Sequence, residues 1–236
     1  MTSATLTPYL DGAKALHIGA SSQFGAPRIA VEHIGAGPLV MFLHGIGGDR
    51  STWAHQMTAF AANGYCAAAW DTRGYGDSDD YDGALSFTDI ADDLARVLDA
   101  FAVNRAHIVG TSMGGRISLE FYANHPDRFA TLTLAGVHAR FGAFSPEAQR
   151  QFVDARRKPL IEDGLDPADI APAVIGKLAG PNAPDDARTR AIAAMARLHK
   201  HSYIKTVEAT TQFDREHVLG EIAVPTLVIG GEFDTL

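Results

Sequence analysis

His107-Ile-Val-Gly110-Thr111-Ser112-Met113-Gly114-Gly115 is the stretch on which the reading of this chain turns. An apolar, β-branched run passes into Gly-x-Ser-x-Gly, and a helical pattern begins at once. A serine on a sharp strand-to-helix turn holds a strained backbone, so the positions two before and two after it must be nearly free of side chain. Gly110 and Gly114 meet that need, and Gly115 lets the new helix press close to the sheet. The turn lifts the Ser112 hydroxyl clear of the backbone. The first free N–H of the new helix, that of Met113, then points at whatever the hydroxyl attacks. Ser112 is therefore a candidate nucleophile and the Met113 N–H a candidate oxyanion donor. A bare G-x-S-x-G arises by chance; the strand before it and the helix after it give this one its meaning.

Upstream, Arg28–Ile34 alternates as a strand does, Gly35-Ala-Gly-Pro38 reads as a turn, and Leu39–Leu43 is a continuous apolar run. Such a run marks a strand buried on both faces. It ends in His44-Gly45-Ile46-Gly47-Gly48, where three glycines let a loop fold tightly with its N–H groups turned inward. The Ile46 N–H is the candidate second oxyanion donor. A phosphate-cradling loop would end in Lys-Ser/Thr, and this one does not. His44 is expected to shape the loop rather than to move protons. Ser51–Asn63 reads as a helix with Trp53, Met57 and Phe60 on one face, and Tyr65–Trp70 as the next strand. Asp71-Thr-Arg73-Gly74-Tyr-Gly76-Asp-Ser78 follows, with Asp79, Asp80 and Asp82 behind it. The register of a calcium loop is not met, so these acids are expected in a solvated loop.

Ser86 opens a helix whose stripe is Phe87, Ile90, Leu94, Val97, Leu98 and Phe101. Arg105–Val109 is the strand into the serine turn, Met113–Asn124 the helix out of it, and Phe129–Val137 another strand. Strands alternating with helices imply an α/β fold, a mostly parallel sheet with helices on both faces. Sites on such sheets gather at the carboxyl ends of the strands, where Ile46, Asp71, Ser112 and His138 fall.

The rhythm stops between about Ala139 and Glu221. Ser145–Lys158, Pro167–Leu178, Asp185–Lys200 and Tyr203–Phe213 read as helices. Residues 139–221 are expected to form a helical cap over the site, with 1–138 and 222–236 as the core. Phe141, Phe144, Phe152, Met195, Leu198 and Tyr203 are its candidate pocket residues, or they only bind the cap helices together. Arg156-Arg157-Lys158 reads as a helix end whose charge suits the dipole. His199 and His201 lie two apart on a helix and do not face one site, so no metal is assigned. The sheet resumes at Pro225–Ile229, and Gly230-Gly-Glu232-Phe-Asp234 follows. Asp234 is the candidate orienting acid, with Glu232 as the alternative.

With 236 residues and a hydrophobic share of 46%, one full core is expected. A formal net charge of -8 without a basic cluster argues against nucleic acid and against an anionic membrane surface. The single cysteine, Cys66, allows no internal disulfide and is expected to be buried on its strand. There is no leader pattern and no apolar run long enough to span a membrane, so the expected location is cytoplasmic.

Together these residues resemble the α/β-hydrolase superfamily over roughly residues 28–236. His44-Gly45-Ile46-Gly47 looks like its oxyanion loop and Gly110–Gly115 like its nucleophile elbow. Asp71-x-Arg73-Gly74-x-Gly76-x-Ser78 is similar to the loop after its fourth strand, and Gly230–Asp234 to its acid-bearing turn. The run looks most like the branch of 3-oxoadipate enol-lactonases and haloperoxidase- or perhydrolase-type esterases. The resemblance implies hydrolysis of a small ester or lactone through an acyl-enzyme, and no metal or organic cofactor. The family order is serine, acid, histidine, yet no histidine follows Asp234. The expectation is a chain shortened at its C-terminus, without the last strand and helix and without the catalytic histidine, and inactive as given. The rival is His138 as an internal base. Two other functions stay open: hydrolysis of a carbon–carbon bond in a diketone, and a non-catalytic binding protein of the same fold.

Overall fold

The computed structural model describes residues 6–19, 26–141 and 144–234. Seven strands form one sheet: β1 (Lys14–Ile18), β2 (Ile29–Ile34), β3 (Leu39–Leu43), β4 (Cys66–Trp70), β5 (Ala106–Thr111), β6 (Phe129–Ala135) and β7 (Thr226–Ile229). Their spatial order is β1-β2-β4-β3-β5-β6-β7. β1 and β2 are antiparallel additions at one edge, and every pairing from β4 through β7 is parallel.

Strand β3 is central and wholly buried, as its unbroken apolar run requires. Its alternate side chains face opposite ways. Val40 and Phe42 pack with Met57 of helix α1 (Ala54–Ala62) and with Ala67 and Ala69 of β4. Leu39, Met41 and Leu43 belong to the larger core built by helices α2 (Phe87–Ala100) and α3 (Met113–Asn124). Each such side chain contributes about 1.5–3 kcal/mol by leaving water. Trp53 and Phe60 meet Phe42 at ring distances of 5.0 and 5.5 Å, so the apolar face read from 51–63 is the one turned to the sheet, with Met57 buried at its centre and Phe60 exposed at its edge. Ser86 caps α2, its hydroxyl accepting from the Thr88 N–H at 3.2 Å. Cys66 is half-buried at the start of β4. Strand β7 forms the far edge, and its Leu227, Val228 and Ile229 are exposed.

Between β6 and β7 the chain is helical: α4 (Pro146–Arg157), α5 (Pro167–Leu178), α6 (Asp185–Ala196) and α7 (Lys200–Thr211). The two ends of this segment are laced together. The Phe141 N–H donates to Phe213 at 2.9 Å, the Arg215 N–H donates to Ala139 at 2.8 Å, and Arg140 and Asp214 form an antiparallel bridge. The clearest departure from the boundaries read in the sequence lies at the α6–α7 turn. The sixth helix stops at Ala196 rather than Lys200, and α7 already begins at Lys200. No glycine or proline marks this break; tertiary contacts make it. Arg197 donates to buried Asp49 at 2.5 Å, and the His199 ring bonds Asp80 and the Gly76 carbonyl, each at 2.9 Å.

The loop after β4 is not merely solvated, because cations from distant positions tie down its acids. Arg28 pairs with Asp79 at 2.9 Å, and Ser202 donates to Asp80 at 2.6 Å. Asp71 is fully buried against Arg50, which also reaches Asp77 at 2.6 Å. Burial pushes the Asp71 carboxyl up to about 6 even with the Arg50 guanidinium beside it. Replacing Arg50 by Met strands that carboxylate in the core. The expected loss is about 3–5 kcal/mol at neutral pH, read by urea denaturation. An acid raised in the folded state contributes stability at low pH that is lost as pH rises through its folded value. The deficit of R50M should therefore shrink on acidification from neutral pH to about pH 5. A deficit that stays constant over that interval contradicts this account.

Candidate active site

The turn at the end of β5 has the strain its sequence implies. Ser112 has φ 49° and ψ -112°, a left-handed backbone that residues with a side chain seldom adopt. Its N–H donates to the Ala135 carbonyl at 2.9 Å, and its carbonyl accepts from the N–H of Arg116 at 3.2 Å. A Cβ at Gly110 would collide with the backbone of Gly114 and Gly115, and one at Gly114 with the Leu43 carbonyl. Helix α3 thus starts hard against the ends of β3 and β5, with buried Met113 as its first residue.

That approach brings the glycine loop after β3 beside the serine. A Cβ on Gly45 would stand 3.5 Å from that of Ser112. His44 is buried, and its ring braces the loop. Nδ1 bonds the Gly45 carbonyl at 2.8 Å, and Nε2 accepts from the Thr72 N–H at 3.1 Å. Nε2 must be unprotonated to accept from a backbone N–H, so Nδ1 carries the proton. Burial holds the ring's pKa below the usual histidine value and keeps it neutral. This is the shaping role read from the sequence.

Ile46, Ser112 and Asp234 line one cavity of about 370 Å³. Thr111, Arg116, Gly136, His138, Phe141, Phe144, Phe152 and Arg156 complete its wall together with Ala148. Asp234 lies against the end of β6, where a Cβ on Gly136 would be 3.1 Å from its Oδ2. His138 is exposed on the rim, its ring 6.0 Å from that of Phe144. Glu232 is not on the wall, and Asp71 is held beneath it by Arg50. Of the six candidate pocket residues, Phe141, Phe144 and Phe152 face the cavity. Met195, Leu198 and Tyr203 are buried in the core instead, because α6 and α7 turn their apolar sides inward.

Two charged wall residues have no wall role in the sequence reading. Arg116 follows the serine by one helical turn, and no periodicity says which way it faces. Arg156 was read as helix-end charge, but it turns inward. Its Cζ lies 3.6 Å above the Phe152 ring, and Nη1 donates to the Phe152 carbonyl at 2.9 Å. Among the described residues no group of three or more His, Cys, Asp or Glu is disposed to hold a metal ion. No helix among them is long and apolar enough to cross a membrane.

Comparison with known proteins identifies the fold family. A family model described as the alpha/beta hydrolase fold matches residues 38–236. A 2-hydroxy-6-oxononadienedioate/2-hydroxy-6-oxononatrienedioate hydrolase of Paraburkholderia phymatum is 32% identical, over 88% of this chain and 75% of its own. The 3-oxoadipate enol-lactonase 1 of Acinetobacter baylyi is 27% identical, over 84% of this chain and 71% of its own. The solved structure of a thermophilic esterase from Thermogutta terrifontis, with malate bound, superposes with a TM-score of 0.80 at 25% identity. The match covers 94% of this chain and 81% of that one.

The strain at position 112 is open to direct measurement. Glycine adopts a left-handed backbone freely, so Ser112→Gly should raise the free energy of unfolding by about 1 kcal/mol. Denaturation of the two proteins side by side checks this, and a clear loss of stability contradicts it.

Proposed function

The chain belongs to the α/β-hydrolase fold family, and from that premise we propose that it hydrolyses a small carboxylic ester or lactone through an acyl-enzyme on Ser112. The observation that carries this reading is the strained Ser112 on the wall of a cavity that Ile46 and Asp234 also line. The Ser112 hydroxyl oxygen attacks the substrate carbonyl carbon. The N–H groups of Ile46 and Met113 take the charge that develops on the carbonyl oxygen. A histidine base removes the Ser112 proton and returns it to the leaving oxygen, and Asp234 orients its ring; His138, on the same wall, is the candidate among the described residues. Water then attacks the acyl-serine by the same route in reverse and releases the acid. Helices α4–α7 act as a cap whose Phe141, Phe144 and Phe152 exclude water from the reacting bond.

A second reading has one observation behind it. The Paraburkholderia relative is named for a substrate without an ester or lactone bond. The same residues would then hydrate a ketone and break the adjacent carbon–carbon bond. Product analysis on a lactone and on a 1,3- or 1,5-diketone separates the two readings.

A fluorophosphonate probe should label Ser112, and Ser112→Ala should abolish both labelling and turnover. Asp234→Asn should lower kcat/KM by roughly 10³–10⁴-fold. His138→Ala tests whether His138 is the proton acceptor: a loss above about 10³-fold assigns it that role, and a change below tenfold places the base elsewhere. A folded protein that no probe labels and no ester occupies would leave the binding-protein reading in place of catalysis.

A further inference from the structure

Two guanidinium groups on the cavity wall lack a carboxylate partner among the described residues. Arg116 is 7% exposed. Its Nε donates to the His138 carbonyl at 3.2 Å, and its Cζ lies 5.6 Å from the centre of the Phe141 ring. Arg156, stacked on Phe152, likewise spends a donor on a backbone carbonyl and a second on the Tyr203 hydroxyl. Other inward-turned arginines among the described residues have carboxylate partners: Arg50 has Asp71 and Asp77, Arg73 has Asp93, Arg197 has Asp49 and Arg215 has Glu120; half-buried Arg188, away from this cavity, spends its donors on the Gly180 and Ala183 carbonyls.

Leaving one buried and one half-buried cation without a carboxylate is costly, and the cost needs an offset. Burial lowers both arginines, Arg116 to about 10, yet both remain charged at neutral pH. The position of Arg116 adds to the cost. It stands in the first turn of α3, where the helix dipole already presents positive potential. Each guanidinium has five N–H donors in a planar fork, so donors remain beyond those spent on backbone carbonyls. Against the two cations the wall sets one carboxylate among the described residues, Asp234.

On the ester or lactone reading above, we infer that this cavity selects substrates carrying a second, ionised carboxylate, which Arg116 and Arg156 hold while the scissile carbonyl lies at Ser112. Arg116 comes from the sheet-bound helix α3 and Arg156 from α4 of the cap, so the anion is gripped by both parts of the molecule. A cavity of about 370 Å³ suits a half-ester or lactone of a short dicarboxylic acid.

The test pairs turnover with binding. The full chain is assayed on p-nitrophenyl hemiglutarate and on neutral p-nitrophenyl butyrate. Glutarate and glutaramide are titrated calorimetrically in parallel. The expected result is a kcat/KM at least tenfold higher on the anionic ester, and binding of glutarate but not of glutaramide. In Arg156→Gln and Arg116→Lys the anionic-to-neutral ratio should fall tenfold or more, chiefly through KM, with weaker glutarate binding. Arg156→Lys should recover part of the ratio. The second variant set matters because buried Arg116 is the harder position to change without unfolding.

The inference is overturned if glutarate and glutaramide bind alike or not at all, or if the ratio is the same in the parent and both variants. A protein labelled at Ser112 that shows no such preference refutes the anion site and leaves the hydrolase reading standing. A protein that binds glutarate through both arginines but is never labelled does the reverse.

Discussion

Helix α3 can begin where it does only because hydrogen alone stands on the α-carbons of Gly110 and Gly114. A Cβ at Gly114 would meet the carbonyl of Leu43, so the first turn of α3 rests on the end of the neighbouring strand β3. From this one close approach the rest follows. The chain must swing Ser112 into a left-handed backbone to make the turn, and the loop leaving β3 has nowhere to go but past the serine. Close-packed interiors transmit such constraints with little slack.

Charge fixes the far side of that loop. The Arg50 N–H donates to Asp71 at 2.8 Å, and the Thr72 N–H donates to the His44 ring. The loops after β3 and β4 are thereby bolted together beneath the cavity. Asp49 continues the frame outward: it accepts from Ser51 at 2.9 Å and from Arg197 of the α6–α7 turn. Buried polar groups of this kind are stable when they bond to one another, which explains why single members sit so deep.

What could be read from the sequence divides along physical lines. Local chemistry was legible: Leu39–Leu43 and Met113–Asn124 have the bounds their apolar run and glycine pattern imply. The placement of Ser112, Ile46 and Asp234 on one cavity wall was legible too, because each sits just past the end of a strand of recognisable type. Long-range pairing was not. Nothing near Arg50 announces Asp71, and nothing near Arg197 announces Asp49, which lies 148 residues away. The α6–α7 break was missed for that reason. Arg156 was misread because its neighbours Arg157 and Lys158 make it look like one of a charged trio. Only the packing of α4 shows that this one member turns inward onto Phe152.

The lacing between Ala139–Phe141 and Phe213–Arg215 gives the helical segment a narrow stalk. Chain leaves and re-enters the sheet through one short two-stranded ladder, so loop-closure entropy for whatever lies beyond it is settled at the stalk. Exchange of the helical segment, whether by natural drift or by recombination in the laboratory, must therefore keep both feet of the stalk and also the Arg197–Asp49 and His199–Gly76 ties, or the loops flanking the serine turn lose their bracing.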